Sequence, residues 1–386
     1  MSKIKVLVVD DSAIVRDVLS SAIKDQRDME LVGTAPDPFI ARDKIVRFNP
    51  DVITLDIEMP RMDGLTFLEK LMQYFPLPVI IVSSITTKDP QAAIKALELG
   101  AFDVVNKPGG SITVEEVKED VLRKIRLAHE AKDAFLAKWK EQTAAAAKAR
   151  ERGLTRGGGF SGISPLTPGR KSPGDERDTG LTKDKASLLT QVRTTEKLIA
   201  IGASTGGTVA LEALFRTLPR HLPPIVVTQH MPVHFTRQFA QRLNELSELT
   251  VKEGEEGELV QIGTAYLAPG GYHMEVSRRG ASLFIHLHQG ERVQFQRPAV
   301  DVLFHSVARA AGKNALGILL TGMGKDGAEG LLAMKQSGAL TIAQDERTSI
   351  VWGMPRAAVE LGAAEKVLPL ERIPEAILSF SSEKEG

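Results

Sequence analysis

The 386-residue sequence predicts an α/β protein of two domains joined by a linker. In both halves, short apolar runs alternate with amphipathic stretches of helical length, which is typical of parallel sheets covered by helices. The length exceeds what one hydrophobic core usually organises. Between the halves the composition changes to Gly, Pro, Ser and Thr, which cannot bury enough apolar area to offset chain entropy.

The composition excludes several classes of function. Lys and Arg together number 49, as do Asp and Glu, so no net charge points to nucleic acid or to an anionic membrane as the main partner. The absence of cysteine excludes disulfides, thiolate metal sites and cysteine nucleophiles. No apolar stretch approaches the roughly 20 residues that a membrane-spanning helix needs. We therefore expect a cytoplasmic protein.

In the first domain, residues 1–125, five apolar runs predict the strands of one parallel sheet: KVLVV, MELVG, DVITL, PVIIV and FDVVN. A last helix is predicted from about Thr113 to about Arg150. Its outer part, residues 126–150, has few apolar anchors, and we expect this extended helix to project into solvent. Residues 151–195 are predicted to be a flexible linker, because so long a connection is uncommon inside one domain.

The second domain, residues 196–382, is predicted to be a mostly parallel, doubly wound α/β domain. Its strands are predicted at LIAIGAS, PIVVTQH, TAYLAP, ALGILLTG and ALTIAQ. The segment HMEVSRRGASLFIHLH instead alternates apolar and polar residues around an Arg-Gly pair, which indicates one antiparallel hairpin.

Three carboxylates follow strands of the first sheet. Asp10 and Asp11 come after KVLVV, and Asp56 comes after DVITL. Each acid alone could be a solvated strand end or a helix cap, but together they belong at the edge where open α/β sheets bind ligands. Three adjacent carboxylates favour Mg²⁺, and one of them could then attack a phosphoryl donor. Ser83 and Lys107 end two further strands and could bind phosphoryl oxygens.

The pattern of DD, D, S and KP on successive strands resembles the receiver domain of two-component response regulators, which has a flavodoxin-like fold. The likeness covers about the first 125 residues. It implies that Asp56 accepts phosphate from a histidine kinase and that Asp10 and Asp11 help it to hold Mg²⁺. It also implies that Ser83 and Lys107 sense the acyl phosphate.

The second domain opens with LIAIGASTGG, in which GASTG satisfies the pattern G-x-S-x-G. This pattern lets a serine, here Ser204, project from a sharp turn between a strand and a helix. A glycine loop that holds a phosphate is the alternative. It is weakened because the P-loop pattern fails at Thr208, where a lysine should stand, and G-x-G-x-x-G fails at Ser204 itself.

A serine nucleophile needs a base, and the base needs an orienting group. His230 ends the next strand, PIVVTQH, and Asp326 lies in TGMGKDG directly after ALGILL. All three residues therefore follow strands of one sheet, where distant parts of the chain converge. His273 follows a PGG turn and is a lower-ranked candidate for substrate contact. Histidines expected to be ordinary strand or helix residues are His286, His288 and His305.

Six segments of the second half resemble the catalytic domain of the chemotaxis protein-glutamate methylesterases: KLIAIGASTGGTVAL, TQHMPVHFTRQFAQRLN, YLAPGGYHME, RPAVDVLFHSVA, TGMGKDGAEGL and AQDERTSIVWGMPRAA. The likeness extends from about Glu196 to Leu378. It implies removal of methyl groups from glutamyl esters on methyl-accepting chemoreceptors, and deamidation of receptor glutamines. Its implied partners are those receptors and a chemotaxis histidine kinase. The resemblance implies an association with the membrane only through the receptors. No nucleic acid is implied, and no cofactor for the esterase.

Carried over to these residues, the resemblance implies that Ser204 attacks the side-chain carbonyl, His230 moves the proton and Asp326 holds the imidazole. The backbone N–H groups of Met323 and of the residue after Ser204 are candidates for the oxyanion hole. A hydrogen bond from Thr205 to the histidine is a further hypothesis.

The domain order favours autoinhibition: the receiver covers the hydrolase cleft, and phosphorylation of Asp56 loosens that cover. Two other functions stay open at this point. The second domain could bind a partner without catalysis, or it could be a nucleotide-binding output domain. The presence of Ser204, His230 and Asp326 together favours the enzyme.

Overall fold

The computed structural model describes residues 3–84, 92–108, 113–141, 197–233 and 235–382. Residues Met1–Leu136 and Thr194–Gly386 belong to one structural unit. The linker predicted for 151–195 lies outside the described residues, as do residues 142–150 of the predicted extended helix. Within the described ranges, no helix is both long and apolar enough to cross a membrane.

The first domain is a parallel sheet of five strands in the order β2-β1-β3-β4-β5. The strands are β1 Ile4–Val9, β2 Met29–Ala35, β3 Val52–Leu55, β4 Val79–Ser83 and β5 Asp103–Asn106. The helices are α1 Ala13–Lys24, α2 Pro38–Phe48, α3 Gly64–Tyr74, α4 Ala92–Glu98 and α5 Val114–Glu130. The strand order reverses between β1 and β3, which is the usual ligand position in such sheets. The predicted parallel α/β fold is confirmed.

Local sequence explains where the helices of this domain begin. The side chains of Ser12, Asp37 and Asp63 accept hydrogen bonds from backbone N–H groups in the first turns of α1, α2 and α3. Thr113 and Glu116 form a reciprocal capping box at the start of α5. Strands β3 and β4 are buried along their whole length, so they appear in the sequence as continuous apolar runs.

The helix predicted from Thr113 to Arg150 is not continuous. Helix α5 ends at Glu130, Ala131 forms a turn, and residues 132–141 are helical again. Phe135 in this second segment is 5% exposed and packs edge-on against Phe102, with ring centroids 5.3 Å apart. The beginning of this second segment therefore packs on the first domain, where projection into solvent was expected.

The second domain contains seven parallel strands in the order β14-β13-β12-β6-β7-β9-β8, and a separate antiparallel hairpin β10-β11. The strands are β6 Leu198–Ala203, β7 Ile225–Gln229, β8 Thr250–Glu253, β9 Thr264–Leu267, β10 His273–Arg279, β11 Ser282–His288, β12 Ala315–Leu319, β13 Leu340–Gln344 and β14 Lys366–Leu368. The mostly parallel sheet and the single hairpin are both as predicted.

The helices of this domain are α6 Gly207–Phe215, α7 Phe235–Leu246, α8 Val300–Ala311, α9 Ala328–Gln336, α10 Met354–Glu360 and α11 Ile373–Ser382. Helix α8 packs on β6, on β10 and on α9. Gly330 permits the close approach of α8 and α9, because a Cβ at this position would lie 2.6 Å from Cβ of Phe304. Strand β6 lies between β7 and β12, so the carboxyl ends of these three strands meet at one edge.

Candidate active site

Ser204 lies in the turn that joins the buried strand β6 to helix α6. Its backbone N–H donates to Thr321 O at 3.0 Å, which ties the turn to the end of β12. Gly206 has φ +78°, in the left-handed region that favours glycine. A Cβ on Gly207 would lie 2.1 Å from Gln229 Oε1. The glycines therefore serve a tight turn that leaves Ser204 facing the end of β7.

The structure brings the three predicted catalytic side chains into one hydrogen-bonded chain. Ser204 Oγ lies 3.1 Å from His230 Nδ1, and His230 Nε2 lies 2.7 Å from Asp326 Oδ2. Because Nε2–H donates to the carboxylate, Nδ1 is left to accept from the serine hydroxyl. The side chains of His230 and Asp326 are 6% and 3% exposed, so water competes little for these bonds.

The Asp326 carboxylate is held by the start of helix α8. Val300 N–H donates to Oδ2 at 2.7 Å, and Asp301 N–H donates to Oδ1 at 2.9 Å. Burial alone would raise the pKa of Asp326. The hydrogen bond and charge of His230, together with the two backbone donors, lower that pKa below its ordinary value. The carboxylate therefore stays ionised beside the imidazole.

The turn that contains Met323 packs directly against the serine. A Cβ on Gly322 would lie 2.8 Å from Ser204 Cβ and 3.2 Å from Ser204 N. Among the described residues, neither the Met323 N–H nor the Thr205 N–H donates to a protein acceptor. The two N–H groups predicted as oxyanion donors are thus unpaired within the described part of the chain.

His273 is buried, and both of its ring nitrogens have hydrogen-bond partners. Its ring is 1% exposed, Nδ1 accepts from Ala299 N at 3.2 Å, and Nε2 pairs with Glu291 O at 2.9 Å. Burial lowers its pKa, in keeping with a neutral ring that accepts a backbone N–H. His286 lies on the exposed face of the hairpin, as expected of an ordinary strand residue.

In the first domain, Asp10, Asp11 and Asp56 come together at the reversal of strand order. One ligand atom from each lies within 4.8 Å of the others, so these oxygen donors fit a hard cation. Lys107 Nζ lies 2.8 Å from Asp10 Oδ2 and 2.7 Å from Asp56 Oδ2. Ser83 Oγ is buried and has no hydrogen-bond partner among the described residues. The site therefore consists of three clustered carboxylates, with the Lys107 ammonium group and the unpaired Ser83 hydroxyl beside them.

Residues of the first domain line one side of the cavity at Ser204. This cavity of about 490 Å³ is lined by Ser204 and His230 on one side and by residues of β5 and α5 on the other. Thr205 Oγ1 donates to Asp103 Oδ2 at 3.1 Å, so the hydroxyl expected to contact the histidine bonds across the domain boundary instead. Contacts that cross the boundary also include the ion pairs Arg292–Glu116 at 3.1 Å and Arg242–Glu98 at 2.9 Å.

Comparison with known proteins identifies the families of both domains. Residues 199–377 match the CheB methylesterase family, and residues 6–118 match the response regulator receiver domain. The crystal structure of the Thermotoga maritima CheB methylesterase catalytic domain is similar over 48% of this chain and 98% of its own, with 41% identity and a TM-score of 0.47.

Two relatives match nearly the whole chain. Protein-glutamate methylesterase/protein-glutamine glutaminase 2 of Syntrophus aciditrophicus is 48% identical over 378 residues, which are 98% of this chain and 99% of the relative. The protein-glutamate methylesterase/protein-glutamine glutaminase of Salmonella typhi is 48% identical over 379 residues, 98% of this chain and 97% of the relative. The chain belongs to the CheB family. The family expected from the motifs is thereby confirmed.

In this CheB-family protein, sequence reasoning missed the polar residues that support the triad. Gln229 Nε2 donates to Ser204 O at 3.0 Å and to His230 O at 3.1 Å. These two bonds link the backbone of Ser204 to that of His230. Thr321 Oγ1 donates to Thr205 O at 3.0 Å. The only signal in the sequence was position, because Gln229 directly precedes His230 and Thr321 ends a strand. Asp301, beside Asp326, gave no such signal.

Burial also makes the receiver acid Asp56 of this CheB-family protein costly to ionise. Burial raises its pKa to about 6, against the opposing hydrogen bond and charge of Lys107. The folded state therefore binds a proton more tightly than the unfolded state does, and stability falls as pH rises from about 4 to about 6. Two pKa units correspond to at most about 3 kcal/mol.

We expect Asp56→Asn to stabilise the receiver at pH 7 by about 1 to 3 kcal/mol, because it removes this cost. Calorimetric unfolding of the full chain at pH 7 and at pH 4 measures this stabilisation, which should vanish at pH 4. Asp51→Asn is the matched control, since Lys132 and the Lys5 N–H hold the pKa of Asp51 low despite its burial, and its loss should destabilise. A lower unfolding midpoint for Asp56→Asn at pH 7 would contradict the prediction.

Proposed function

We propose that this protein is a phosphorylation-activated serine hydrolase that demethylates glutamate methyl esters on chemoreceptors and deamidates receptor glutamines to glutamate. The observation that carries the proposal is the hydrogen-bonded chain of Ser204, His230 and Asp326 in a cavity that the receiver domain bounds. The names of the two relatives from Syntrophus aciditrophicus and Salmonella typhi describe both hydrolytic activities.

The proposed reaction is an acyl transfer through Ser204. His230 Nδ1 takes the hydroxyl proton as Ser204 Oγ attacks the side-chain carbonyl carbon of the receptor residue. The proton then passes to the departing group, which leaves as methanol from an ester or as ammonia from an amide. Water, deprotonated by the same nitrogen, attacks the acyl carbon, and the proton passes to Ser204 Oγ as the bond between Oγ and that carbon breaks. The receptor is left with a glutamate side chain. Asp326 stabilises the imidazolium in both halves.

Two backbone N–H groups are proposed to stabilise the oxyanion. The Met323 N–H and the Thr205 N–H lie on the two turns that meet at Ser204, and neither has a protein acceptor among the described residues. In other hydrolases one such donor contributes roughly 3 to 4 kcal/mol of transition-state stabilisation. The hydrolytic step is proposed to need no metal or cofactor, since the triad supplies nucleophile and base.

The receiver is proposed to take a phosphoryl group on Asp56 from a chemotaxis histidine kinase. Asp10, Asp11 and Asp56 would hold Mg²⁺, which when bound offsets the carboxylate charge and the charge of the incoming phosphoryl oxygens. Lys107 and Ser83 are placed to bind the phosphoryl oxygens of the acyl phosphate, because Lys107 already contacts Asp56 and the Ser83 hydroxyl is unpartnered in the described structure.

Phosphorylation is proposed to act by loosening the cover over the cavity. A methyl-accepting chemoreceptor is a protein substrate, so the cavity at Ser204 must admit a protein side chain, and residues of β5 and α5 line one side of that cavity. The Lys107 ammonium that pairs with Asp56 follows β5, and β5 contains Asp103, which bonds to Thr205. A phosphoryl group that draws Lys107 away from Asp56 would therefore disturb one end of β5. The other end of this strand holds the contact between Asp103 and Thr205.

The test is methanol release from methyl-labelled receptor membranes, with and without Mg²⁺ and a small phosphodonor. We expect the phosphodonor to raise the rate of the wild-type protein, and Glu98→Ala to raise the rate without phosphodonor by about two- to fivefold. Glu98 pairs with Arg242 across the domain boundary and does not line the cavity, and such a pair is worth up to about 1 kcal/mol.

Arg356→Ala is the matched control, because Arg356 pairs with Glu360 within one helix of the second domain. It should leave both rates unchanged. If the phosphodonor activates the wild type but Glu98→Ala has the basal rate of the wild type, autoinhibition by the docked receiver would be excluded. No methanol from any methylated receptor would favour the binding-only alternative.

A further inference from the structure

The two walls of the cavity beside the triad differ in charge. Of the described residues that line it, those of the second domain include two arginines, Arg292 and Arg297, and no acid. Those of the first domain include the acids Asp103, Glu116 and Asp120. The proposed reaction gives the arginines no role, because a methyl ester or a primary amide is neutral. A wall with only positive charges favours an acidic partner.

In the docked arrangement that partner is Glu116. Its Oε1 lies 3.1 Å from Arg292 Nη2, while its Oε2 accepts from the Thr113 N–H at 3.0 Å in the capping box of α5. The hydrogen bond from Thr113, aided by the charge of Arg292, lowers the pKa of Glu116 below its ordinary value. An ionised carboxylate therefore lies on Arg292 while the domains are docked.

The other two receiver acids are paired within their own domain. Asp103 pairs with Lys124 at 2.8 Å, and Asp120 pairs with Arg123. Arg292 is 51% exposed and has no other ion-pair partner among the described residues. Displacement of the receiver therefore leaves an unpaired cation beside the opened site.

The same loop, residues 289–297, also presents an exposed aromatic side chain to the cavity. Val293 and Gln296 exchange two backbone hydrogen bonds, at 3.1 and 2.8 Å, across a two-residue turn. The central residues Gln294 and Phe295 have φ +51° and +65°, in the left-handed region that such turns normally fill with asparagine and glycine. Phe295 lines the cavity and is 75% exposed. Backbone strain of this kind is typical of segments that contact ligands.

Hydrogen bonds fix the base of this loop. Arg297 Nη1 donates to Gly290 O at 2.9 Å, and the Gly271 N–H donates to Arg297 O at 3.2 Å. The second of these bonds joins the loop to the turn that carries Tyr272, which is 40% exposed and also lines the cavity. Phe295 and Tyr272 are therefore held in place before any partner binds, which lowers the entropic cost of binding.

We propose that Arg292, Phe295 and Tyr272 form a receptor-binding surface, on which Arg292 pairs with an acidic side chain of the receptor close to the reacting residue. Glu116 occupies Arg292 in place of that side chain while the receiver is docked. The identity of the partner rests on the proposed function. Arginine and large aromatic residues are the side chains that most often dominate binding at protein interfaces.

The ion pair can be broken from either side, but only one side belongs to the receptor-binding surface. Arg292→Gln removes the charge from that surface. Glu116→Gln is the matched control, because it breaks the same pair from the receiver and keeps the capping box, which accepts glutamine. Arg292→Lys keeps the positive charge. The readout is kcat and KM for methanol release from methyl-labelled receptor membranes with saturating phosphodonor, and the basal rate without it.

We expect Arg292→Gln to raise KM about three- to fivefold in the presence of phosphodonor, as for loss of a partly exposed ion pair, with kcat unchanged. Arg292→Lys should recover most of this loss. Glu116→Gln should raise the basal rate about two- to fivefold and leave the KM with phosphodonor unchanged. A wild-type KM in Arg292→Gln, or an equal rise of KM in both glutamine variants, would overturn the proposal.

Phe295→Ala tests the apolar part of the surface. It should raise KM roughly tenfold, as for truncation of an aromatic residue that anchors an interface. Tyr74→Ala is the control, because Tyr74 is 76% exposed in the first domain and does not line the cavity. Its KM should equal that of the wild type. An unchanged KM in Phe295→Ala would also overturn the proposal.

Binding without turnover separates this proposal from the proposed function. Co-sedimentation with receptor membranes and phosphodonor compares Ser204→Ala with the double variant Ser204→Ala, Arg292→Gln, which should bind about three- to fivefold more weakly. This difference without methanol release from wild type would count against the hydrolytic function and support the surface. Methanol release with a KM independent of Arg292 would overturn the surface alone, and binding of neither chain would contradict both.

Discussion

Ser204→Ala should reduce methanol release from methylated receptors by at least about 10⁴-fold, with receptor binding retained. The substitution removes the only side-chain oxygen within hydrogen-bond distance of His230 Nδ1 among the described residues. Losing the nucleophile of a triad costs about as much as losing the whole triad, since the three groups act as a unit. The measurement is labelled methanol released per enzyme in the presence of phosphodonor.

Ser349→Ala provides the control for this prediction. Ser349 is a fully buried serine of the second domain, its hydroxyl donates to Asp345 O, and it does not line the cavity. Its loss should change stability more than turnover. Turnover by Ser204→Ala within tenfold of wild type would exclude the acyl-enzyme route.

Asp326→Asn should reduce kcat by roughly 10³- to 10⁴-fold with little change in the fold. Both carboxylate oxygens accept N–H donors, so the new amide group would face a donor in either orientation. An amide N–H at the Oδ2 position would drive the imidazole proton from Nε2 to Nδ1. His230 would then present a donor to Ser204 and could not take its proton.

The test is the pH profile of kcat for this variant. Asp345→Asn is the control, because Asp345 also accepts a backbone N–H at the end of a strand, from Thr348, but is not in contact with the triad. Hydroxylamine or another strong external nucleophile should not rescue Asp326→Asn, because the defect lies in proton removal from Ser204. A loss of less than tenfold would contradict a role for Asp326 in holding the imidazole.

The position of the triad was predictable because of strand direction. Ser204, His230 and Asp326 each follow a buried apolar run, and parallel strands place their carboxyl ends at one edge. That rule predicts which side chains lie near one another, but it does not predict which of them form hydrogen bonds. Whether His273 or His230 faced the serine depended on how the hairpin packs on α8, which no local pattern encodes.

Residues that act through tertiary contacts were not predictable. Asp301 stands in an ordinary amphipathic helix, and its proximity to Asp326 depends on the approach of α8 to α9 at Gly330. The helix predicted for residues 126–150 illustrates the same limit. Its composition favours a solvated helix, yet Phe135 is buried and packs edge-on against Phe102.

Contacts between the domains were equally beyond the sequence. The domain order indicates that the receiver covers the cleft, but the pairs Thr205–Asp103 and Arg242–Glu98 depend on the relative orientation of two folded units. Asp103 pairs with Lys124 through Oδ1 and accepts from Thr205 through Oδ2 at the same time. For Thr205 the sequence suggested a hydrogen bond to the histidine, and only the docked geometry places its hydroxyl on Asp103 instead.

The central claim is that Ser204 is the reactive nucleophile and that the receiver restricts access to it. The most direct measurement is the rate and site of labelling of the full chain by a fluorophosphonate, with and without Mg²⁺ and phosphodonor. We expect a single labelled peptide that contains Ser204, and faster labelling when Asp56 is phosphorylated. Labelling at another residue, or at Ser204 with a rate that phosphodonor does not change, would contradict the claim.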